Sequence, residues 1–566
     1  MTDTPVRFAA AQFFSGTDVT ANAARCVDLL TEATAAGARL LVLTENANRV
    51  RDYVSRQQCW ELSEDLDGEF VTTLRAACAR LGIWCVAGVD VRAEAPDVHI
   101  SSLLIDDRGE LRHVHRKHVL WDYEYTLFVP GDEPLTVVHT ELGRLGLLMC
   151  ADGIVPDVPR LLALQGAEVL LNSLNSRGPD EMRVHVPLRA MENRVWHVSA
   201  NTVGGPADAW PWMGGSQIVA PDGTVVAAAD EETEQIIWAD ITPAVARDKT
   251  VPGLADVFAW RRPDLYADLL ADLADVPVAA MYGPAPADMA PMPLDVATLQ
   301  VSWFHNRDWT VTRALSQVKY AAGRGAKLGV LPELFCFRPG EVATDPAAAA
   351  RFSAQVLARL GEAAAEHGIW LVAHLVESDG ERFYSTAWLL DDTGAGALRY
   401  RRTHLSDDDR SWATPGDDLP VADTTIGRIG LMIGTEVWVP EVARVLAVRG
   451  AEIIAHPCSW DRPEAAHIAA TERTEENRVH LVSAARLDNP AGVGSQILRA
   501  DEFGPYQPIA LMRYPSAVWS RHGFEEQLLV RLDRREAHSK MMGHHLDPVA
   551  SRQPAIYGPL AGLSLK

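Results

Sequence analysis

The sequence predicts a chain of two tandem α/β domains, and three observations support this fold class. The chain repeats itself once, each copy alternates short apolar segments with longer amphipathic ones, and a segment rich in proline and alanine separates the copies. Alternating strands and helices are typical of α/β domains in which helices cover a sheet. A chain of 566 residues is long enough for two large domains of this kind.

The repeat is visible at paired positions along the whole chain. Residues 38–45 and 326–333 each form an apolar segment that ends in a glutamate, and residues 143–150 correspond to residues 427–434. Paired positions are separated by 279 to 288 residues. A nearly constant separation indicates duplication of a domain of about 260 residues rather than a shared short motif.

The repeat also predicts the domain boundaries. We place the first copy at residues 5–270, a linker at 271–292 and the second copy at 293–560. The linker contains Gly-Pro-Ala-Pro-Ala at residues 283–287, and proline fixes φ and removes a backbone donor. This composition predicts a semi-extended connection.

Hydrophobic periodicity predicts the elements of the first copy. Short apolar runs indicate buried strands, and apolar residues spaced by three and four indicate amphipathic helices. The predicted strands are 40–43, 84–89, 103–105, 145–149 and 169–171, and the predicted helices are 22–35, 70–81 and 158–165.

Composition and charge exclude several function classes. Hydrophobic residues make up 48% and charged residues 23%, which is ordinary for a folded globular protein. With 52 basic and 76 acidic residues the net charge is −24, so a nucleic-acid backbone would be repelled.

The cysteines and the N-terminus indicate the compartment. The seven cysteines form no C-x-x-C pair, which speaks against a zinc site and is typical of a reducing environment. The N-terminus has no basic region followed by an apolar core, and no apolar run approaches the ~18 residues of a membrane span. We therefore expect a cytoplasmic protein that does not contact a membrane.

Three residues could carry chemistry: Glu45 and Cys150 at the ends of predicted strands, and Lys117 just after a strand-like segment at residues 111–115. A glutamate could take the proton of a thiol, and a lysine could favour the thiolate, so together they predict an acyl-transfer site. Each also has a structural explanation. A lone cysteine is usually a small buried apolar residue, the glutamate could lie in a solvated turn, and the lysine could be surface charge.

Both copies resemble the nitrilase superfamily, the carbon–nitrogen hydrolases, over almost the whole chain outside the linker and the ends. The resemblance rests on ordered motifs at residues 43–45, 115–120, 124–131, 148–153, 189–193, 200–201 and 215–218. It implies an α-β-β-α sandwich for each copy. It also implies catalysis by Glu, Lys and Cys with a supporting second Glu, and no metal or organic cofactor.

The resemblance implies a role for each matching residue. Cys150 would be the nucleophile, and Glu45 would be the general base and acid. Lys117 would hold the tetrahedral oxyanion together with the backbone N–H of Ala151. Glu124 would be the second carboxylate, which positions the substrate or a base.

The residues around the nucleophile indicate the substrate class. The sequence Cys-Ala-Asp-Gly at residues 150–153 resembles the amidase-like pattern of the family, which favours an amide or carbamoyl substrate over a nitrile. We expect Tyr123, Asn175 and Arg177 to line the pocket. Alternatively, Tyr123 belongs to the core, and Arg177 and Arg183, which could each bind a substrate carboxylate, are solvated surface residues.

Other residues of the motifs have structural interpretations. Asp152 is expected to cap the helix that follows the turn. Glu192 and Asn193 are expected to hold their part of the fold together rather than to touch substrate.

The second copy has lost its nucleophile. It keeps Glu333, has Arg402 and Asp409 at the lysine and second-glutamate positions, and has Gly434 at the cysteine position. Glycine cannot form a thioester, so we predict a degenerate second site. The copy would support the first as a structural partner, in an intrachain pseudo-dimer held at high effective concentration. The alternative is that it keeps a pocket for a regulatory ligand.

The sequence thus predicts thiol-dependent hydrolysis of a non-peptide amide or carbamoyl C–N bond through a Cys150 acyl-thioester. Nitrile hydrolysis or acyl transfer to an amine by the same site is the alternative. A non-catalytic binding or scaffold protein is the alternative of another class. The expected partner is a small-molecule substrate, and the tandem chain could form a homo-oligomer.

Overall fold

A computed structural model of the chain describes residues 4–205, 212–283, 288–303, 306–500, 515–542 and 545–563. By compactness the chain divides into a first unit, residues 1–249 with 543–546 and 555–566, and a second unit, residues 250–542 with 547–554. The predicted boundaries at residues 270 and 293 remain predictions.

The predicted linker belongs to the second unit by the same criterion. Its described part is not uniformly extended, because it contains 3-10 turns at Leu273–Asp275 and Pro277–Met281. Residues 284–287 of the predicted Gly-Pro segment lie outside the described residues.

The first unit is built from fourteen strands and six helices in the described residues. The strands are β1 (Val6–Gln12), β2 (Leu40–Val42), β3 (Trp84–Arg92), β4 (Val98–Ile105), β5 (Leu111–Arg116), β6 (Val137–Thr140), β7 (Gly143–Met149), β8 (Val169–Ser173), β9 (Trp196–Ala200), β10 (Val203–Gly204), β11 (Trp212–Met213), β12 (Gln217–Val219), β13 (Val225–Ala228) and β14 (Gln235–Ile241). The helices are α1 (Val19–Ala35), α2 (Arg56–Leu62), α3 (Glu69–Leu81), α4 (Glu124–Leu127), α5 (Asp157–Leu164) and α6 (Val186–Asn193).

Two six-stranded sheets form the centre of this unit. Their strand orders are β14-β1-β2-β3-β4-β5 and β13-β12-β9-β8-β7-β6. The central strands β1, β2 and β3 are parallel, as are β7, β8 and β9, while the outer strands pair antiparallel. The carboxyl ends of parallel strands meet at one edge of each sheet.

Side chains that alternate between the two faces of each strand form the layers of the first unit. Phe8 and Ala10 of β1 pack with Leu145 of β7 in the core between the two sheets. Ala9 and Ala11 point to the opposite face, where they pack with the apolar stripes of α1 and α3. Because side chains of a strand alternate between faces, each sheet contributes one face to the inter-sheet core and one to its helices. The unit is an α-β-β-α sandwich, as predicted.

The observed elements extend the predicted ones. Helix α1 begins three residues earlier than predicted, after Asp18, whose side chain accepts the N–H of Ala21. Strand β4 also begins earlier than predicted, at Val98. The buried polar residues Ser101 and Ser102 interrupt its apolar run. A prediction based on apolar runs therefore recovered only the second half of the strand.

The second unit repeats this architecture. Its strands are β15 (Thr250–Val251), β16 (Ala255–Asp256), β17 (Pro293–Leu299), β18 (Leu328–Val330), β19 (Trp370–Asp379), β20 (Arg382–Leu390), β21 (Gly396–Arg401), β22 (Val421–Thr424), β23 (Gly427–Leu431), β24 (Ile453–Cys458), β25 (His480–Ala485), β26 (Gln496–Arg499), β27 (Ser516–Trp519) and β28 (Gln527–Asp533). Its helices are α7 (Arg307–Gly323), α8 (Glu341–Thr344), α9 (Pro346–His367), α10 (Asp407–Arg410), α11 (Pro440–Val448), α12 (Ala470–Asn477) and α13 (Arg535–His538).

The two six-stranded sheets of the second unit have the orders β21-β20-β19-β18-β17-β28 and β22-β23-β24-β25-β26-β27. Strand β17 contacts β25 across the sheets, and α7 and α9 pack on the outer face of the first sheet. The tandem α/β fold class predicted from the repeat is confirmed. No helix in the described parts of the chain combines the length and the apolar character that a membrane crossing needs.

Substitution of Trp84 tests how much the inter-sheet core stabilises the first unit. It is 1% exposed within this core, and its indole N–H donates to Glu141 Oε1 at 2.9 Å. We expect Trp84→Ala to lower the free energy of unfolding by about 3–5 kcal/mol, because it removes packed area and leaves a cavity. The measurement is the unfolding midpoint in urea.

The matched control is Trp309→Ala, since Trp309 is 62% exposed. We expect it to change the free energy of unfolding by no more than about 0.5 kcal/mol. Equal midpoint shifts for the two variants would contradict the assignment of Trp84 to the core.

Candidate active site

Four residues predicted from the sequence lie together in the first unit. Glu45 lies three residues beyond the end of β2, Lys117 directly follows β5, and Cys150 directly follows β7. Glu124 is the first residue of the short helix α4. All four side chains are buried.

Cys150 occupies a sharp turn. It begins a 3-10 turn, Cys150–Gly153, directly after a strand, and its φ of 49° lies in the left-handed region that L-residues seldom adopt. Its backbone N–H donates to Asn172 Oδ1 at 2.9 Å, which helps to hold this conformation. Ala151, the predicted oxyanion donor, is buried on the same turn.

Asp152 was expected to cap the helix after the turn, but this prediction is wrong, because α5 begins only at Asp157. The Asp152 carboxylate is buried and accepts the backbone N–H groups of His118, Val119 and Met149 at 2.9–3.1 Å, and it is paired with His115 Nε2 at 2.8 Å. Asp152 therefore ties the nucleophile turn to the segment that carries Lys117.

Glu45 is held closely against the neighbouring strand. Its N–H donates to Leu174 O at 3.2 Å. A Cβ added at Gly88 would lie 2.5 Å from the Glu45 Cα, so only glycine permits this approach.

Lys117 lies between two carboxylates. Its Nζ is 2.9 Å from Glu45 Oε1, 3.0 Å from Glu124 Oε1 and 2.8 Å from Glu124 Oε2. Burial alone would lower the pKa of Lys117, but the Glu124 and Glu45 charges outweigh burial and raise the pKa above its ordinary value. Lys117 is therefore an ammonium ion.

Sequence reasoning missed Arg51, which is a second cation of this site. Its Nη1 is 3.1 Å from Glu45 Oε1 and 2.6 Å from Glu124 Oε1, and its Nη2 is 3.1 Å from Asp90 Oδ1. Arg51 lies outside the motifs that carried the resemblance. The signal that could have found it is an arginine six residues beyond Glu45 in the same strand-end loop.

The electrostatics separate the base from the nucleophile. Burial raises the pKa of Glu45, but the nearby Lys117 and Arg51 charges and a hydrogen bond with the Cys150 thiol bring the pKa below its ordinary value. Burial, followed by the Glu45 charge, holds the pKa of Cys150 well above its ordinary value. The resting site thus pairs a neutral thiol with an ionised carboxylate, which suits proton transfer to Glu45.

Glu124 differs from Glu45. Burial raises its pKa, and although the Lys117 and Arg51 charges oppose this, the pKa stays above its ordinary value. Because the carboxylates here are already paired with these two cations, the cluster is suited to proton transfer rather than to a metal ion.

The predicted pocket residues lie at different depths. Tyr123 is 42% exposed and Asn175 is half-buried. The Arg177 guanidinium is 4.0 Å from the centre of the Trp212 ring, and its partial burial lowers its pKa. Arg183 is exposed and pairs with Glu231 at 3.5 Å, in agreement with its interpretation as a surface residue.

Glu192 and Asn193 make internal contacts. The Glu192 carboxylate is 2.6 Å from Arg189 Nη1, and its carbonyl accepts Arg160 Nη1 at 2.9 Å. The Asn193 amide donates to Arg189 O at 3.0 Å. These contacts join α5 to α6, as expected for residues that hold the fold together.

The corresponding site of the second unit carries different charges. Arg402 Nη1 is 3.2 Å from Glu333 Oε1 and 2.5 Å from Asp409 Oδ2, and its Nη2 is 2.5 Å from Thr435 Oγ1. Burial raises the pKa of Glu333 to about 7 against the opposing Arg402 charge. Gly434 has a φ of 51° at the turn, close to that of Cys150, but has no thiol.

The two copies match a known family. The sequence model for the carbon–nitrogen hydrolases matches residues 7–249 and 295–492, which together make up most of the chain. An α-β-β-α sandwich with a buried cysteine, glutamate and lysine after its strands is the arrangement of a hydrolase. The chain belongs to the carbon–nitrogen hydrolase family. The resemblance identified from the sequence motifs is confirmed.

Several relatives show the range of the family. The chain is 29% identical over 246 residues to a protein from Pyrococcus abyssi called a nitrilase, which covers 43% of this chain and 92% of that protein. It is 29% identical over 290 residues to an N-carbamoylputrescine amidase from Arabidopsis thaliana, covering 46% and 93%. A solved amidase from Nesterenkonia sp. is 26% identical, covers 44% of this chain and 94% of that one, and has a TM-score of 0.40.

The second site should not be restored by a thiol alone. A Cβ at Gly434 would lie 2.6 Å from Glu333 Oε2, and the Arg402 fork already binds the neighbouring oxygen atoms. We expect Gly434→Cys, made in a Cys150→Ala background, to release no more ammonia from amides than that background does. A protein in which the added thiol restored hydrolysis would contradict the assignment of this site as degenerate.

Proposed function

We propose that the first unit hydrolyses an amide or carbamoyl C–N bond of a small molecule through an acyl-thioester at Cys150. The observation that carries the proposal is the pairing of a neutral, buried thiol with an ionised Glu45 that Lys117 contacts at 2.9 Å. A nucleophile beside a general base, with a cation within reach, is the arrangement that acyl transfer needs.

In the first half-reaction, Cys150 Sγ attacks the carbonyl carbon and its proton passes to Glu45. The carbonyl electron pair moves to oxygen, where the Lys117 ammonium and the Ala151 N–H stabilise the negative charge. The intermediate collapses as the C–N bond breaks, and Glu45 protonates the departing nitrogen. Ammonia or an amine leaves, and the acyl group stays on sulfur.

In the second half-reaction, a water molecule attacks the thioester and gives a proton to Glu45. The C–S bond breaks, the acid leaves, and the thiol is restored by the proton held on Glu45. Glu124 holds Lys117 through both of its oxygen atoms, which keeps the ammonium in place. The substrate, this water molecule and the residues of the chain are sufficient to balance these steps.

Two observations support an amide or carbamoyl substrate. The turn sequence Cys-Ala-Asp-Gly resembles the amidase branch, and proteins called amidases are among the relatives. Arg177 is the residue that we propose to bind an anionic group of the substrate, because its half-buried guanidinium is held against the Trp212 ring.

Ammonia release over a panel of primary amides, carbamoyl amines and nitriles tests the proposed reaction. We expect release from an amide or carbamoyl class, and loss of at least about a thousandfold in Cys150→Ala, since removing a catalytic nucleophile costs rates of this order or more. Cys336→Ala is the matched control, because Cys336 lies in the apolar core of the second unit. Release that survives in Cys150→Ala would overturn the proposal.

Arg177→Ala tests the anion-binding role. We expect about a tenfold rise in KM for an amide that carries a carboxylate, and little change for its neutral analogue, because a hydrogen bond to a charged group contributes about 1.5–3 kcal/mol. Arg183→Ala is the control, since Arg183 is a surface residue. If the KM for the carboxylate-bearing amide is the same in wild type and in Arg177→Ala, Arg177 does not bind the substrate anion.

A further inference from the structure

Arg51 extends from a loop whose backbone is anchored at two positions just before it. The Ala47 N–H donates to Gly88 O at 2.9 Å, and the Val50 N–H donates to Gly16 O at 3.0 Å. These bonds attach the loop after β2 to neighbouring segments. The guanidinium of Arg51 is therefore placed by the fold rather than by a mobile surface loop.

The Arg51 side chain is 2% exposed and joins three carboxylates. It contacts Glu45 and Glu124 through Nη1, and Asp90 through Nε at 3.2 Å and Nη2 at 3.1 Å. Its guanidinium carbon is 5.1 Å from the centre of the Phe128 ring, which covers one face of the group. A planar fork of this shape holds several carboxylates in fixed relative positions, whereas a lysine ammonium is a point charge whose donors rotate.

Arg51 supplies one of the two cations that offset the three carboxylates around Glu45. Glu45, Glu124 and Asp90 supply three carboxylates in a region withdrawn from water, and Lys117 and Arg51 supply two cations. Without Arg51 a single ammonium would face all three acids. Like charges at short distance drive one carboxylate to take up a proton.

We propose that Arg51 is a positioning residue of this site, which keeps Glu45 ionised and oriented as the base for the Cys150 thiol. Arg51 acts through Glu45 and is not required to touch the substrate. The inference rests on the proposed function, in which Glu45 takes the thiol proton. The second copy has Pro339 at the corresponding distance from Glu333.

The direction of the pH effect follows from the groups around Glu45. Those that act on Glu45, on Arg51 or on the Cys150 thiol are Lys117, Glu124, Asp90, Tyr123 and Glu181. Arg51 lowers the pKa of Glu45, so its removal raises that pKa. Because only the ionised carboxylate accepts a proton, activation of Cys150 would then begin at higher pH.

The test is the pH dependence of Cys150 alkylation by iodoacetamide in the full-length chain, measured in wild type, Arg51→Met and Arg51→Lys. We expect the acidic limb of the rate profile to move upward by roughly one to three pH units in Arg51→Met, the range over which a contacting arginine shifts a carboxyl pKa. Arg51→Lys keeps the charge and should move the limb by less. The kcat/KM profile for an amide substrate should move in parallel.

Arg56→Met is the matched control, because Arg56 is an exposed arginine of the same region that pairs with Asp97. Its profile should coincide with that of wild type. If Arg51→Met does not fold, as judged by circular dichroism, the double variant Arg51→Met with Asp90→Asn removes the buried charge left behind and carries the same expected shift. A folded variant whose acidic limb coincides with that of wild type would overturn the proposal.

The alkylation readout separates this proposal from the proposed function, because it needs no substrate. A shifted alkylation limb in Arg51→Met without amide hydrolysis in wild type would support the role of Arg51 and count against hydrolysis. Hydrolysis in wild type with an unshifted limb in Arg51→Met would support the proposed hydrolysis and overturn the role of Arg51.

Discussion

The candidate site depends on the burial of Lys117 between two carboxylates. An ammonium withdrawn from water is costly unless charges of opposite sign surround it, and Glu45 and Glu124 supply them at 2.8–3.0 Å. These groups come from the end of β2, the end of β5 and the start of α4. The three elements must therefore meet at one place, which also brings the turn after β7 into reach of the cluster.

The second unit shows which part of this constraint is structural. Gly434 repeats the left-handed φ of Cys150, and Glu436 replaces Asp152, since its carboxylate accepts the N–H of Thr403 at 3.1 Å. The turn is thus tied to the neighbouring segment by a buried acid in both units. The thiol can be lost without loss of this frame, because the frame depends on the acid and not on the nucleophile.

Sequence reasoning predicted the local features well. Short apolar runs indicated the strands, and Glu45, Lys117 and Cys150 were predicted to follow strands, where the structure brings them together. It missed Arg51 because the short spacing between Arg51 and Glu45 does not by itself indicate a contact, and the other two partners, Asp90 and Glu124, lie 39 and 73 residues away along the chain. No local pattern encodes such a pairing. The prediction that Asp152 caps a helix was wrong for the same reason, because most of its hydrogen bonds run to the segment around Lys117.

The resting charges determine where activation occurs. Reactivity of a cysteine toward oxidants and alkylating agents follows its thiolate character, and burial together with the Glu45 charge keeps Cys150 protonated. In the proposed reaction the nucleophile therefore forms only as its proton moves to Glu45 during attack on a bound substrate. The readiness of the site then depends on the ionisation of Glu45. Lys117 and Arg51 both favour that ionisation. In the proposed reaction Lys117 also stabilises the oxyanion, whereas Arg51 stays paired with the carboxylates.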